Sequence, residues 1–107
     1  MSFRWPNKDP DEILDYSVDW SRFLDINTIS SVIWFVNDGS GTKTVLTPTG
    51  TVNNLRSTGQ TISSNNKIAT IHLADGTNNL QYTLFCQISD NTGNIAERSI
   101  KLKVREK

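Results

Sequence analysis

The sequence holds one cysteine, one histidine and three alanines in 107 residues, and each scarcity excludes something. A lone Cys86 excludes an internal disulfide and any metal site built from several thiolates. A lone His72 excludes two-histidine metal motifs and leaves a catalytic thiol only one imidazole to pair with. Alanine, the strongest helix former, stands only at positions 69, 74 and 96. An excess of one charge is missing too: eleven Lys plus Arg balance eleven Asp plus Glu. Nucleic-acid binders carry a basic excess, so no nucleic-acid partner is expected. The longest apolar run, residues 32–36, is five residues long, far short of a membrane span. Residues 1–6 hold no apolar stretch of the secretory kind, and no membrane partner or cofactor is expected.

What is plentiful points to strands. Ser, Thr and Asn supply 34 of the 107 residues, and ten Ile and twelve Thr carry β-branched side chains that suit a pleated surface. Hydrophobic residues make up 36% of the chain, enough for one modest core in a domain that buries roughly 65% of its unfolded surface. Such a domain gains stability by binding a partner.

Residues 1–13 differ from the rest. Trp5-Pro6-Asn7-Lys8-Asp9-Pro10-Asp11-Glu12 carries two of the three prolines, which remove backbone donors and push Trp5 and Asp9 into extended conformations. The segment reads as an extended arm that contributes no strand, with Phe3 and Trp5 either folding back onto the domain or entering a neighbouring subunit. Strict alternation begins at Leu14, where Leu14, Tyr16, Val18 and Trp20 alternate with Asp15, Ser17, Asp19 and Ser21. Residues 29–36, apolar on both faces over residues 32–36, predict a central strand. Asp38-Gly39-Ser40-Gly41 is dense in turn residues, and short strands are expected at 44–46, 51–52 and 60–63, with a tight turn at Asn65-Asn66. Residues 68–73 predict a strand and 74–79 a loop. Leu80, Tyr82, Leu84, Cys86 and Ile88 share one face of a long strand. Asp90-Asn91-Thr92-Gly93-Asn94 is a hairpin turn, and residues 95–104 close the chain with Ile100, Leu102 and Val104 inward.

About seven strands with regular turn signals predict an all-β, Ig-like or fibronectin-III-like antiparallel β-sandwich over residues 14–107. Tyr82 stands where such folds place a corner tyrosine whose hydroxyl bonds back to the backbone, and Trp34 where they carry a core tryptophan.

Candidate chemistry is thin. Asp9, Asp11, Glu12, Asp15 and Asp19 form the one carboxylate-dense stretch, but Asp15 and Asp19 lie on the exposed face of a strand. That is too regular for a loop wrapped around a cation, so a solvated acidic segment is expected. Cys86 points into the core and His72 away from it, so no catalytic pair is expected. The glycines of residues 38–41 and 75–77 lack the strand–turn–helix setting of a phosphate loop. Residues 1–25 carry a net charge of −3 and residues 97–107 a net +3. The two ends either attract within one molecule or specify head-to-tail contact between copies.

The stretch Trp5 to Trp20, with its Lys-Asp-Pro-Asp-Glu run followed by Leu-Asp-Tyr and Asp-Trp, resembles the opening of a family of small tailed-bacteriophage virion proteins. Asp25-Ile26-Asn27-Thr28-Ile29, Val32-Ile33-Trp34, Gly93, Glu97-Arg98-Ser99-Ile100 and Leu102-Lys103-Val104 continue the resemblance. The resemblance implies a non-enzymatic tail-fibre or neck adaptor joined to the head–tail connector, without cofactor. It would be made in the host cytoplasm, built into the virion in several symmetric copies, and bound to other phage virion proteins. It implies a partner-binding arm comprising Phe3, Trp5, Pro6, Lys8, Asp9, Pro10, Asp11 and Glu12. The alternative from another class is an Ig-like carbohydrate-binding or adhesin module, using Phe35 and Phe85 as an aromatic platform.

Overall fold

Alternation along the chain becomes two packed sheets. The computed structural model describes residues 2–37 and 41–106, and the turn residues Asp38, Gly39 and Ser40 lie outside the described residues. In chain order the strands are β1 (Ser2–Arg4), β2 (Leu14–Asp19), β3 (Ile29–Asn37), β4 (Lys43–Val45), β5 (Thr51–Val52), β6 (Leu55–Ile62), β7 (Ile68–Asp75), β8 (Gln81–Asp90) and β9 (Ile95–Lys103). A single helical turn, α1 (Ser21–Leu24), links β2 to β3. One sheet runs β1-β9-β8-β3-β4 and the other β2-β7-β6-β5. Every pairing is antiparallel except β1 on β9. The fold is an Ig-like β-sandwich, as the strand pattern predicts.

The core is the inward phase of these strands. Tyr16 and Val18 of β2, Trp34 and Val36 of β3, Ala69, Ile71 and Leu73 of β7, Tyr82, Leu84, Cys86 and Ile88 of β8, and Ile100 and Leu102 of β9 are all buried. Each large aliphatic group removed from water contributes about 1.5–3 kcal/mol. Trp20, just beyond β2, is also buried and stacks edge-on with Phe23 of α1. Asp19 stabilises this exit from the strand, because its Oδ1 accepts bonds from the Ser21 amide (2.9 Å) and hydroxyl (2.6 Å).

Turn chemistry sets the connections. Asn53 and Asn54 take φ values of 49° and 66°, the left-handed pair that a two-residue hairpin turn between β5 and β6 requires. Tyr82 acts as the corner residue: its hydroxyl donates to the Asn53 carbonyl at 2.8 Å and accepts from the Thr77 amide at 2.8 Å. Gly76 has φ +103°, and a Cβ there would sit 2.9 Å from Val104, so both conformation and packing demand glycine.

Three differences from the sequence-based expectations have plain causes. Strand β6 begins at Leu55 rather than Gln60, because Leu55 and Ser57 point inward and a bulge between Ser57 and Gly59 hides the alternation. Strand β7 continues to Asp75, so the expected loop starts later. Most important, the arm does contribute a strand. Ser2, Phe3 and Arg4 pair in parallel with Ser99, Ile100 and Lys101, which corrects the expectation of a strandless arm. The prolines do not prevent this, because both lie after β1, and an edge strand needs ladder donors on one side only.

Candidate partner-binding arm

After β1 the arm stays attached to β9. The Trp5 amide donates to the Lys101 carbonyl (2.9 Å), the Lys8 amide to the Lys103 carbonyl (3.0 Å), and the Arg105 amide to the Lys8 carbonyl (2.7 Å). Pro6, which has no amide hydrogen, falls between these contacts and is exposed. The indole of Trp5 turns inward and stacks on Tyr16, with ring centroids 4.6 Å apart, and lies 6.1 Å from Trp34. The arm thereby covers the open side of the sandwich between β2 and β9. Burial, together with the charge of Glu12, pushes the Tyr16 phenol up to about 12.

The Lys8-Asp9-Pro10-Asp11-Glu12 run is a self-bonded turn. The Asp9 carbonyl accepts from the Glu12 amide (3.0 Å), Glu12 Oε1 accepts from the Asp9 amide (2.8 Å), and Asp9 Oδ1 accepts from the Asp11 amide (2.9 Å). Asp at the first position and Pro at the second suit this turn, and the Glu reaching back three residues is the reciprocity of a capping box. Lys8 is fully buried, and its Nζ donates to the carbonyls of Asp75 (2.7 Å) and Asp9 (2.9 Å). Burial lowers its pKa, while the nearby carboxylates of Asp75, Glu12, Asp9 and Asp11 favour the charged form.

The eight residues expected to bind a partner therefore do not form one surface. Pro6 and Asp11 are exposed, and Trp5, Asp9, Pro10 and Glu12 are half-buried. Lys8 is buried within its own domain, and for Phe3 only the backbone is described. Beside them Asn7 and Ile13 are also exposed, the latter 63%. Ile13 was legible in principle: it continues the outward phase of Asp15 and Ser17, where an apolar residue is out of place. Beside the arm a cleft of about 270 Å³ is lined by Arg4, Trp5, Ser17, Val18, Asp19, Arg98 and Ile100. Arg98 donates to the Asp19 carbonyl (2.9 Å) and stands 4.3 Å over the Trp20 ring; the Ser21 bonds and, to a smaller extent, the Arg98 charge hold the Asp19 carboxyl below its ordinary range, so part of the charge contrast between the chain ends is used within the molecule.

Residues 8–103 match the family described as podophage GP4 fiber-tail adaptor protein gp77. The chain belongs to this family. The adaptor is thus a component of the phage virion that acts through contacts with other phage tail proteins. No curated protein sequence matches the chain. Among solved structures, the PKD domain from KIAA 1837 protein is similar at 18% identity and a TM-score of 0.46, over 96% of this chain and 83% of that one. The family match begins at Lys8, so Phe3, Trp5 and Pro6 precede it.

The other candidate sites of the adaptor are separated by its topology. Cys86 points inward from β8, and burial pushes its thiol up to about 12. His72 lies on β7, in the opposite sheet, half-buried and in the outward phase. No group of three or more His, Cys, Asp or Glu among the described residues is placed to hold a metal ion. Among those residues no helix is long and apolar enough to cross a membrane. Phe35 and Phe85 are partners across β3 and β8, but the Lys43 ammonium lies 4.7 Å and 5.4 Å from their ring centroids and is bonded to Glu97 at 2.6 Å. That lid, together with family membership, favours the adaptor reading over a carbohydrate platform.

Proposed function

We propose that the adaptor joins tail fibres to the head–tail connector, works by binding rather than catalysis, and uses residues 1–13, which also add the edge strand β1 to the sandwich, as its docking element. The observation that carries this reading is the family match over residues 8–103, which makes the chain a fibre-tail adaptor and leaves the identity of each neighbour to be assigned. The shape of the arm supports the assignment of the docking role. The Asp9–Glu12 turn is held by its own hydrogen bonds and by the buried Lys8, so Pro6, Asn7, Asp11 and the half-buried Asp9, Pro10 and Glu12 form a preorganised ridge. A rigid ridge loses less conformational entropy on docking than a flexible tail. Several copies would stand around the tail axis, where each meets one fibre.

The test is assembly of phage carrying Asp11→Lys, a change at an exposed side chain. The expected result is folded adaptor in the infected cell, with particles depleted of adaptor and fibre and the residual binding sensitive to salt. Particles with the normal complement of both would remove the docking role from this turn.

A further inference from the structure

The sandwich is open along the side away from the arm. There β4 pairs only with Phe35, Val36 and Asn37 of β3, and β5 only with Leu55 and Arg56 of β6, so the rest of both strands lies at an edge. Two hydrogen-bonded crossings join the sheets on this side. At one, the Leu46 amide donates to the Trp34 carbonyl (2.8 Å) and the Leu46 carbonyl accepts from Gln60 Nε2 (2.7 Å). At the other, the Ile29 amide donates to the Asn66 carbonyl (2.9 Å). Between them lies a cleft of about 310 Å³ lined by Val32, Trp34, Pro48, Gln60, Thr61 and Ile62. From Ile29 to Trp34 the extended chain covers about 17 Å, the length of a five-residue strand.

The alternation of ladder bonds decides which backbone groups face this cleft. Just beyond β6 the Ser63 amide bonds to the Ile68 carbonyl, so Thr61 and Gly59 turn toward β7, while Gln60 and Ile62 point their N–H and C=O groups away from it. On β3 the Trp34 carbonyl faces Leu46, so Val32, two residues earlier, points its groups away from β8. Among the described residues these backbone groups meet no partner. The side chains are equally incomplete. Val32 and Ile62 stand in the inward phase, opposite the buried Ile88 and Ala69, yet Val32 is half-buried and Ile62 is 37% exposed. Open edges are commonly blunted by a charge or a proline, and residues 30–34 and 59–63 hold neither.

We propose that this cleft takes an extended, uncharged segment of a second protein, which adds a strand to β6 at Gln60 and Ile62 and sets apolar side chains over Val32, Trp34 and Ile62. An extended backbone matches the edge because its donors and acceptors recur every two residues, about 7 Å, as those of Gln60 and Ile62 do. A cavity of about 150 Å³ takes a benzene-sized group, so the cleft has room for two apolar side chains from alternate positions of the segment. A second copy of this chain does not supply the segment. The inward side chains of its strands fill its own core, and its arm is held on β9. The site lies across the sandwich from the arm and does not depend on the docking role proposed for residues 1–13.

NMR titration of the isotope-labelled full chain with the blocked peptide Val-Thr-Val-Thr-Val tests it. The amide signals of Val32, Gln60 and Ile62 shift together, with a Kd of about 1 mM or tighter. At saturation, hydrogen exchange at Gln60 and Ile62 slows about fivefold or more, because both amides gain acceptors. The peptide with N-methylated valines lacks the ladder donors, and the peptide with Lys in place of Val brings charge into an uncharged cleft. Each binds at least about tenfold more weakly. Ile62→Lys, checked for folding by thermal melting, weakens binding of the parent peptide in the same way. Absence of these shifts at about 10 mM peptide overturns the proposal. So does binding undiminished by N-methylation, by Lys in the peptide or by Ile62→Lys, and the two peptide controls need no variant to fold. Shifts at the same amides that grow with protein concentration alone would assign the edge to a second copy and overturn it equally.

Discussion

The ammonium of Lys8 lies 2.7 Å from the backbone carbonyl oxygen of Asp75, a residue 67 positions away at the end of β7. This bond ties the Asp-Pro-Asp-Glu turn to the four-stranded sheet, while the Lys8 backbone is bonded to Lys103 and Arg105 at the end of the other sheet. One residue of the arm thus clamps both layers, so the arm has a structural task in addition to its proposed docking role.

Replacing Lys8 by Met keeps the buried stem but leaves the Asp75 and Asp9 carbonyls without their donor. The expected loss is about 1–3 kcal/mol of unfolding free energy, read from urea midpoints at unchanged slope. A midpoint within error of wild type would show that water satisfies those carbonyls and that the clamp contributes nothing.

Deleting residues 2–12 removes β1, the Trp5 indole stacked on Tyr16, and Lys8 together. The truncated chain should melt well below the full one. In Trp5→Ala, the Tyr16 phenol should ionise below its value of about 12 and closer to 10, because water reaches it. Phenolate absorbance during alkaline titration reads this directly, and an unshifted curve would mean that Trp5 does not shield Tyr16.

Tyr82→Phe removes the hydroxyl that joins the Asn53 carbonyl to the Thr77 amide, with no change of shape. A loss of about 1–3 kcal/mol is expected, because both backbone groups lose their partner. Amide hydrogen exchange at Thr77 should accelerate more than exchange in the middle of β8. Uniform acceleration would point to global destabilisation instead of a local corner.

Asp90 closes the hairpin between β8 and β9. Burial works against its charge, but donors from the Thr92 hydroxyl, the Asn94 and Thr92 amides and the Asn94 side chain outweigh it and hold the carboxyl at about 2, below its ordinary 3.8. The folded pKa is depressed, so this contribution to stability is present in full above about pH 4 and is lost as pH falls toward 2. Asp90→Asn should be less stable than wild type at neutral pH, and the gap should narrow across that window. A gap that is constant with pH sinks the assignment.

The local features were legible in the residues themselves. Alternation marked β2, β8 and β9 because one face of each is buried against the opposite sheet and period two is enforced along it. Gly93, with φ 94°, and Asn66, with φ 56°, announced their turns, and Tyr82 its corner, because each needs a particular side chain at a particular place. The bulged start of β6 was not legible, since the extra residue breaks the period that sequence reading depends on. Nor was the fate of the arm. Prolines and exposed-looking charges describe a segment's local preferences, whereas whether Ser2, Phe3 and Arg4 find an edge depends on β9 being left unpaired along Ser99, Ile100 and Lys101. Lys8 is the clearest case. A lysine in an acidic run reads as a surface charge, and its burial is tolerable only because the Asp75 carbonyl, brought from far away in sequence, joins that of the adjacent Asp9 in accepting from its ammonium, since a buried charge needs partners.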